Sequence, residues 1–216
     1  MSTLTVVDYD CGNLFSIRHA IEHCGSDVRI ATTAADILSA ERLILPGVGA
    51  FGDAAEKLRA RGLTEAVQAF AASGRPFLGI CVGMQLMFDT GEEFGIHQGL
   101  GIVAGTVCKI DEVNADGDPR RIPHIGWSSV VPADGADWQG SILPNDGTPF
   151  DAYFLHSFQC IPKDDADRLA VTDFEGTPVT ASVHAGNCWG CQFHPEKSGE
   201  AGLDILRRFI DIGAAS

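Results

Sequence analysis

Through the first half of the chain, short apolar, β-branched runs alternate with segments of helical period. That is the signature of a parallel sheet whose strands are joined by crossover helices. Residues 5–8, 28–31, 43–45 and 77–80 read as strands, and 14–24, 53–60, 63–72 and 84–89 as helices. The second half changes character. Segments 101–110, 126–131, 152–160, 169–174, 179–183 and 188–193 read as strands set off by Pro, Gly and Asp turns, and a helix over 201–212 closes the chain. The pattern predicts an α/β fold, with a mostly parallel central sheet flanked by helices and an antiparallel β extension. The stretch 132–149 is the least regular and reads as a surface excursion.

The 216 residues suffice for one full core, and we expect a single domain over 1–216 with no internal repeat. Nothing approaches the roughly 20-residue apolar run of a membrane helix. The amino terminus reads directly as a first strand rather than a leader, so the expectation is a cytoplasmic protein. A net charge of −14 argues against a nucleic-acid partner, which needs clustered Lys and Arg. Seven cysteines, an odd number scattered along the chain, read as reduced thiols.

Candidate chemistry centres on Gly79-Ile80-Cys81-Val82-Gly83, just after the apolar run Pro76-Phe77-Leu78. A nucleophile between two glycines, at the point where a strand turns into a helix, is the pattern of a nucleophile elbow. The expected elbow strains Cys81, holds it out into solvent and aims a helix amino end at its sulfur, which favours thiolate. Of the seven histidines, His194 has the context of a base: it follows Cys191-Gln192-Phe193, and Glu196 lies two residues on to orient its ring. A Cys81, His194, Glu196 triad follows. The oxyanion formed by thiol attack needs N–H donors, and these are expected from Val82 and from the glycine-rich turn Pro46-Gly47-Val48-Gly49.

That turn also matches G-x-G-x-x-G, but it does not follow the first strand, and no acidic residue ends a strand about 20 residues on, as a dinucleotide site requires. Cys188-Trp189-Gly190-Cys191 is a C-x-x-C without a second half, inside a strand-like run; Cys191 reads as core filling rather than as a redox or zinc ligand. No metal and no cofactor is expected.

The elbow, the glycine loop and His194-Pro195-Glu196 together resemble the class I (triad) glutamine amidotransferases. Asp8-Tyr9 with Gly12-Asn13-Leu14, Pro123-His124-Ile125-Gly126-Trp127, Tyr153-Phe154 with His156-Ser157, and Lys197-Ser198 are similar to the glutaminase subunits (HisH) of imidazole glycerol phosphate synthase. The resemblance implies Cys81 as nucleophile, His194 as base then acid, and Glu196 as its orienting partner. It implies an oxyanion amide from Gly47, Val48 and Gly49, after a peptide flip triggered by a partner, and L-glutamine held by Gln85 and the main chain of Ser157 and Phe158. It places Asn13, Trp127 and Lys197 near the interface with a cyclase (HisF-type) barrel subunit that receives the ammonia. Asp10-Cys11 stands where small residues such as glycine are commoner in the family, and Ser128 where Asn is usual. These departures leave open a paralogue feeding ammonia to an amino- or amidino-sugar synthase. A free-standing γ-glutamyl hydrolase and a non-catalytic binding module are the remaining readings.

Overall fold

The computed structural model describes residues 3–114 and 116–212, so both ends of the expected 1–216 domain lie outside the described residues. Nine strands form one sheet in the order β2-β1-β3-β4-β13-β12-β11-β8-β9. These are β1 Thr3–Val7, β2 Asp27–Ala31, β3 Leu43–Gly47, β4 Phe77–Cys81, β8 His124–Pro132, β9 Phe150–His156, β11 Arg168–Phe174, β12 Thr177–Ala185 and β13 Cys188–Cys191. A second sheet, in the order β10-β7-β5-β6, is built from β5 Phe88–Gly91, β6 His97–Gln98, β7 Val103–Lys109 and β10 Phe158–Pro162. Helices α1 Leu14–His23, α2 Ala34–Leu38, α3 Phe51–Ala60, α4 Thr64–Ala72, α5 Val82–Leu86 and α6 Gly199–Asp211 complete the fold.

Pairing is parallel from β2 through β13 and antiparallel from β13 to β9. The expected α/β architecture forms, with a parallel half flanked by helices and an antiparallel extension that makes up the other half of the sheet. Burial explains why the two halves differ in pattern. Strands β3 and β4 are buried at every position because helices cover both faces, so they read as unbroken apolar runs. Strand β8 alternates, with His124 and Val130 buried while Ile125, Trp127 and Ser129 face out, because only one face meets the core. Helix α1 starts where the Asn13 side chain accepts the Ser16 N–H at 3.2 Å, and it buries Ile17, Ala20 and Ile21 at helical spacing.

Three expectations are corrected. The helix over 84–89 starts two residues earlier and ends three residues earlier: α5 is Val82–Leu86, and Phe88 already belongs to a strand. The N–H groups of Leu100 and Ile102 take the Leu86 and Met87 carbonyls, each at 2.8 Å, so a tertiary contact ends the helix. The run 152–160 breaks at Ser157 into β9 and β10, which lie in different sheets. The stretch 132–149 is irregular but not merely superficial, since Trp138, Ile142 and Leu143 are buried and the Trp138 Nε1–H donates to the Leu169 carbonyl at 2.8 Å. Large apolar groups without periodicity carried this core contribution.

Candidate active site

Cys81 ends β4 and caps α5 with φ 54° and ψ −114°, a left-handed backbone that a side-chain-bearing residue adopts only when its surroundings impose it. The imposition comes from glycine. A Cβ on Gly83 would run into the Leu45 carbonyl oxygen, and one on Gly79 would sit 2.7 Å from the Gly83 oxygen. Strands β3 and β4 and helix α5 therefore close on one another with no room for side chains, which forces the turn at residue 81. The elbow does not hold the sulfur out into solvent: Cys81 is only 4% exposed and forms the floor of a cavity.

That cavity has a volume of about 240 Å³ and is walled by Val48 and Gly49 on one side, Ser157 and Phe158 on another, and His194 beside the sulfur. Val82 and Gln85 also line it; Gly47 does not, and lies behind it in a small void shared with Asn13, His194 and Glu196. Val82 is the first residue of α5, so its N–H belongs to the unpaired amides at the helix start. The Gln85 side chain donates to Gln192 Oε1 at 3.1 Å, and Gln192 Nε2 in turn lies 3.8 Å from the Cys81 sulfur.

His194 follows β13 and precedes a 3-10 turn, Pro195–Lys197. Its Nδ1 lies 2.8 Å from Glu196 Oε1, with both side chains buried, which leaves Nε2 for the sulfur. The His194 main chain is anchored too: its N–H donates to the Tyr153 carbonyl at 3.0 Å, and its carbonyl accepts the Ser198 hydroxyl at 2.7 Å. Burial pulls the His194 pKa down, but hydrogen bonding and charge from Cys81 and Glu196 outweigh it and push the value up to about 10. The imidazole therefore holds a second proton through the neutral range.

The glycine loop is latched from outside. The Cys11 thiol donates to the Val48 carbonyl at 2.9 Å, and Asp10, itself at φ 61°, is gripped by Arg61 through two 2.8 Å bonds. Asn13, Trp127 and Lys197 all reach the surface, with Trp127 59% exposed and the Lys197 ammonium 6.0 Å above the Tyr153 ring.

Two polar wall residues were not among the expected site residues. Glu93 lines the cavity and accepts the Phe51 N–H at 2.8 Å; nothing marked it among 29 acidic residues. His156 lines it as well, and hydrogen-bonds to His124. Burial pulls both histidines down, His124 to about 4 and His156 to about 3. In the unfolded chain each takes a proton below about pH 6.5, but in the fold each stays neutral, so stability is expected to fall as pH drops from about 6.5 towards 4. The slope approaches about 1.4 kcal/mol per pH unit for each group. His194, raised instead of lowered, contributes in the other direction: its share is full below about pH 6.5 and is lost progressively as pH rises from there through about 10. Urea midpoints measured at about pH 7 and about pH 4.5 test this, and equal midpoints contradict it.

Cys188 and Cys191 are buried in β13, and burial raises the Cys188 thiol to about 11 and the Cys191 thiol further still, as befits core residues. Among the described residues no His, Cys, Asp and Glu cluster is arranged to hold a metal.

A strained cysteine on a strand-to-helix turn, with an imidazole and carboxylate at its side and a glycine loop across a small cavity, defines a cysteine-dependent amidotransferase of the triad kind. The family model for class-I glutamine amidotransferases matches residues 5–212. The HisH 1 subunit of imidazole glycerol phosphate synthase from Legionella pneumophila (strain Lens) is 44% identical over 213 residues, which is 98% of this chain and 100% of that one. The chloroplastic imidazole glycerol phosphate synthase hisHF of Arabidopsis thaliana is 42% identical over 97% of this chain and 34% of its own length. The PurLQS structure from Thermotoga maritima aligns with TM-score 0.71 at 21% identity over 97% of this chain and 98% of that one, a likeness of fold alone. The chain belongs to the class I glutamine amidotransferases and, within them, to the HisH family of glutaminase subunits.

Proposed function

We propose that this chain hydrolyses L-glutamine to glutamate and ammonia through a thioester on Cys81, and passes the ammonia to a HisF-type cyclase barrel for histidine biosynthesis. The observation that carries the reading is Cys81 at positive φ on the floor of a cavity that His194 shares, with Glu196 on the far ring nitrogen. The Cys81 sulfur attacks the side-chain carbonyl carbon of glutamine. The proton on His194 Nε2 goes to the departing nitrogen, and ammonia leaves. Water, deprotonated by the same nitrogen, then splits the thioester, releasing glutamate and restoring the Cys81 thiolate beside a protonated His194. The N–H of Val82 and an amide from Gly47, Val48 or Gly49 stabilise the oxyanion in both steps. Gln85 and the main chain of Ser157 and Phe158 bind the amino-acid end, and Glu93 is placed to receive its ammonium group.

HisH relatives are named as subunits, so this chain has a partner subunit. That the partner is of HisF type is supported by the plant relative, a single hisHF chain of which this chain matches 34%. Exposed Trp127, Asn13 and Lys197 are the candidate contacts for it. The charge of −14 supports a partner other than nucleic acid, no helix among the described residues is long and apolar enough to cross a membrane, and the free thiols support a reducing cytoplasm.

The test is glutamate release from glutamine by the chain alone, and with the cyclase subunit plus its ribonucleotide substrate. We expect low activity alone and stimulation of roughly 100-fold or more in the complex, the scale of one oxyanion donor. Activity indifferent to the cyclase would instead favour the sugar-synthase paralogue or a free-standing hydrolase.

A further inference from the structure

Three polar side chains, the half-buried Ser128 and the buried His124 and His156, run from strand β8 to the cavity wall. Ser128 Oγ lies 2.8 Å from His124 Nε2, His124 Nδ1 lies 3.2 Å from His156 Nε2, and His156 Nδ1 lies 2.8 Å from the carbonyl oxygen of Phe158. The last group settles every proton in the chain. A carbonyl only accepts, so His156 Nδ1 carries hydrogen. A neutral ring then has a bare Nε2, which His124 Nδ1–H must fill, and the bare Nε2 of His124 accepts the Ser128 hydroxyl. Burial keeps both rings neutral, which is the condition for this single ordering. The His124 ring is locked in place between Phe154, at 4.8 Å between centroids, and Phe174, at 4.2 Å, both nearly parallel to it.

The consequence falls on the substrate wall. The Ile110 N–H bonds the Ser157 carbonyl at 3.0 Å, and Phe158 pairs with Lys109 at the next register position of the β10/β7 ladder. In an antiparallel pair such positions alternate, so Phe158 turns its N–H and its carbonyl away from β7, towards His156 and the cavity that both residues line. With the carbonyl capped by His156, that wall presents an N–H donor and not a bare acceptor. An amino-acid carboxylate needs the donor.

We propose that His156, set by His124 and Ser128, is a positioning residue that fixes the Phe158 main chain for binding the carboxylate end of glutamine. This rests on the glutaminase reading above. His156→Leu is expected to raise KM for glutamine about tenfold with kcat within about twofold, the loss of one hydrogen bond felt in substrate binding. His156→Asn, whose amide keeps an N–H for the Phe158 carbonyl, should bring KM back to within about threefold. Ser128→Ala, at a half-buried position that any fold tolerates, should raise KM about twofold. An unchanged KM in correctly folded His156→Leu, a fall in kcat alone, or Asn no better than Leu would each overturn the proposal. Long-range proton–nitrogen NMR of the unmodified chain gives a readout independent of turnover. Both rings are expected neutral with hydrogen on Nδ1, and hydrogen on His156 Nε2 would overturn the relay even if glutaminase activity stands. Absence of Cys81-dependent activity in the wild-type complex would sink the glutaminase reading and leave the NMR result to decide the relay.

Discussion

Cys81→Ala is expected to lower glutamate release by roughly 10,000-fold or more while leaving stability almost unchanged. The two effects separate because the sulfur lies in the cavity, whereas the strain lies in the backbone: alanine keeps the Cβ, and so keeps the cost of φ 54°. Cys81→Gly should be equally inactive yet more stable, by about 1 kcal/mol, because glycine enters that region freely. The strained turn thus sets activity against stability at one residue. His194→Ala combined with Cys81→Ala should cost little more than either alone, since proton and sulfur act as a unit. Steady-state glutamate release and urea midpoints on the same preparations give both numbers, and a Cys81→Ala enzyme within 100-fold of wild type would remove Cys81 from the role of nucleophile.

Gly83→Ala is expected to be the most damaging single methyl in the fold. Its Cβ would overlap the Leu45 carbonyl oxygen, while the Cβ positions of Gly47 and Gly79 already meet Gly83 atoms at 2.7 Å. Neither partner is a side chain that turns aside; all are backbone of β3, β4 and α5. The structure must part strand from helix, at about 3 kcal/mol or more, and any relaxation swings the α5 amides away from the cavity. We expect a large fall in urea midpoint together with lost turnover. A variant of wild-type stability would show that the contact between β3 and α5 is looser than it stands here.

The parallel half and the elbow were legible because both leave local marks: continuous apolar runs where strands are covered on two faces, and glycines at 79 and 83 where backbones touch. The spacing of His194 and Glu196 is equally local, two residues apart across one turn. What could not be read is what register creates. His124 and His156 are 32 residues apart and meet only because β8 and β9 pair them directly. Glu93 reaches the cavity because β5 and β6 fold back, and β5 itself was hidden in a segment whose spacing suited a helix. Trp138 gave no periodic signal, though its burial and its bond to Leu169 secure an irregular segment.

Strand β9 is the last of the nine, and its outer edge is not bare. The Tyr153 N–H donates to the Ser198 hydroxyl at 3.0 Å, and the Tyr153 carbonyl accepts the His194 N–H at the same distance. The segment that carries the base is therefore also the guard of the sheet's border. An unguarded border is a template for strand addition by a second chain. Unfolding of this one segment would disarm the enzyme and uncover an adhesive surface in the same event, so inactivation and self-association should share one onset on heating.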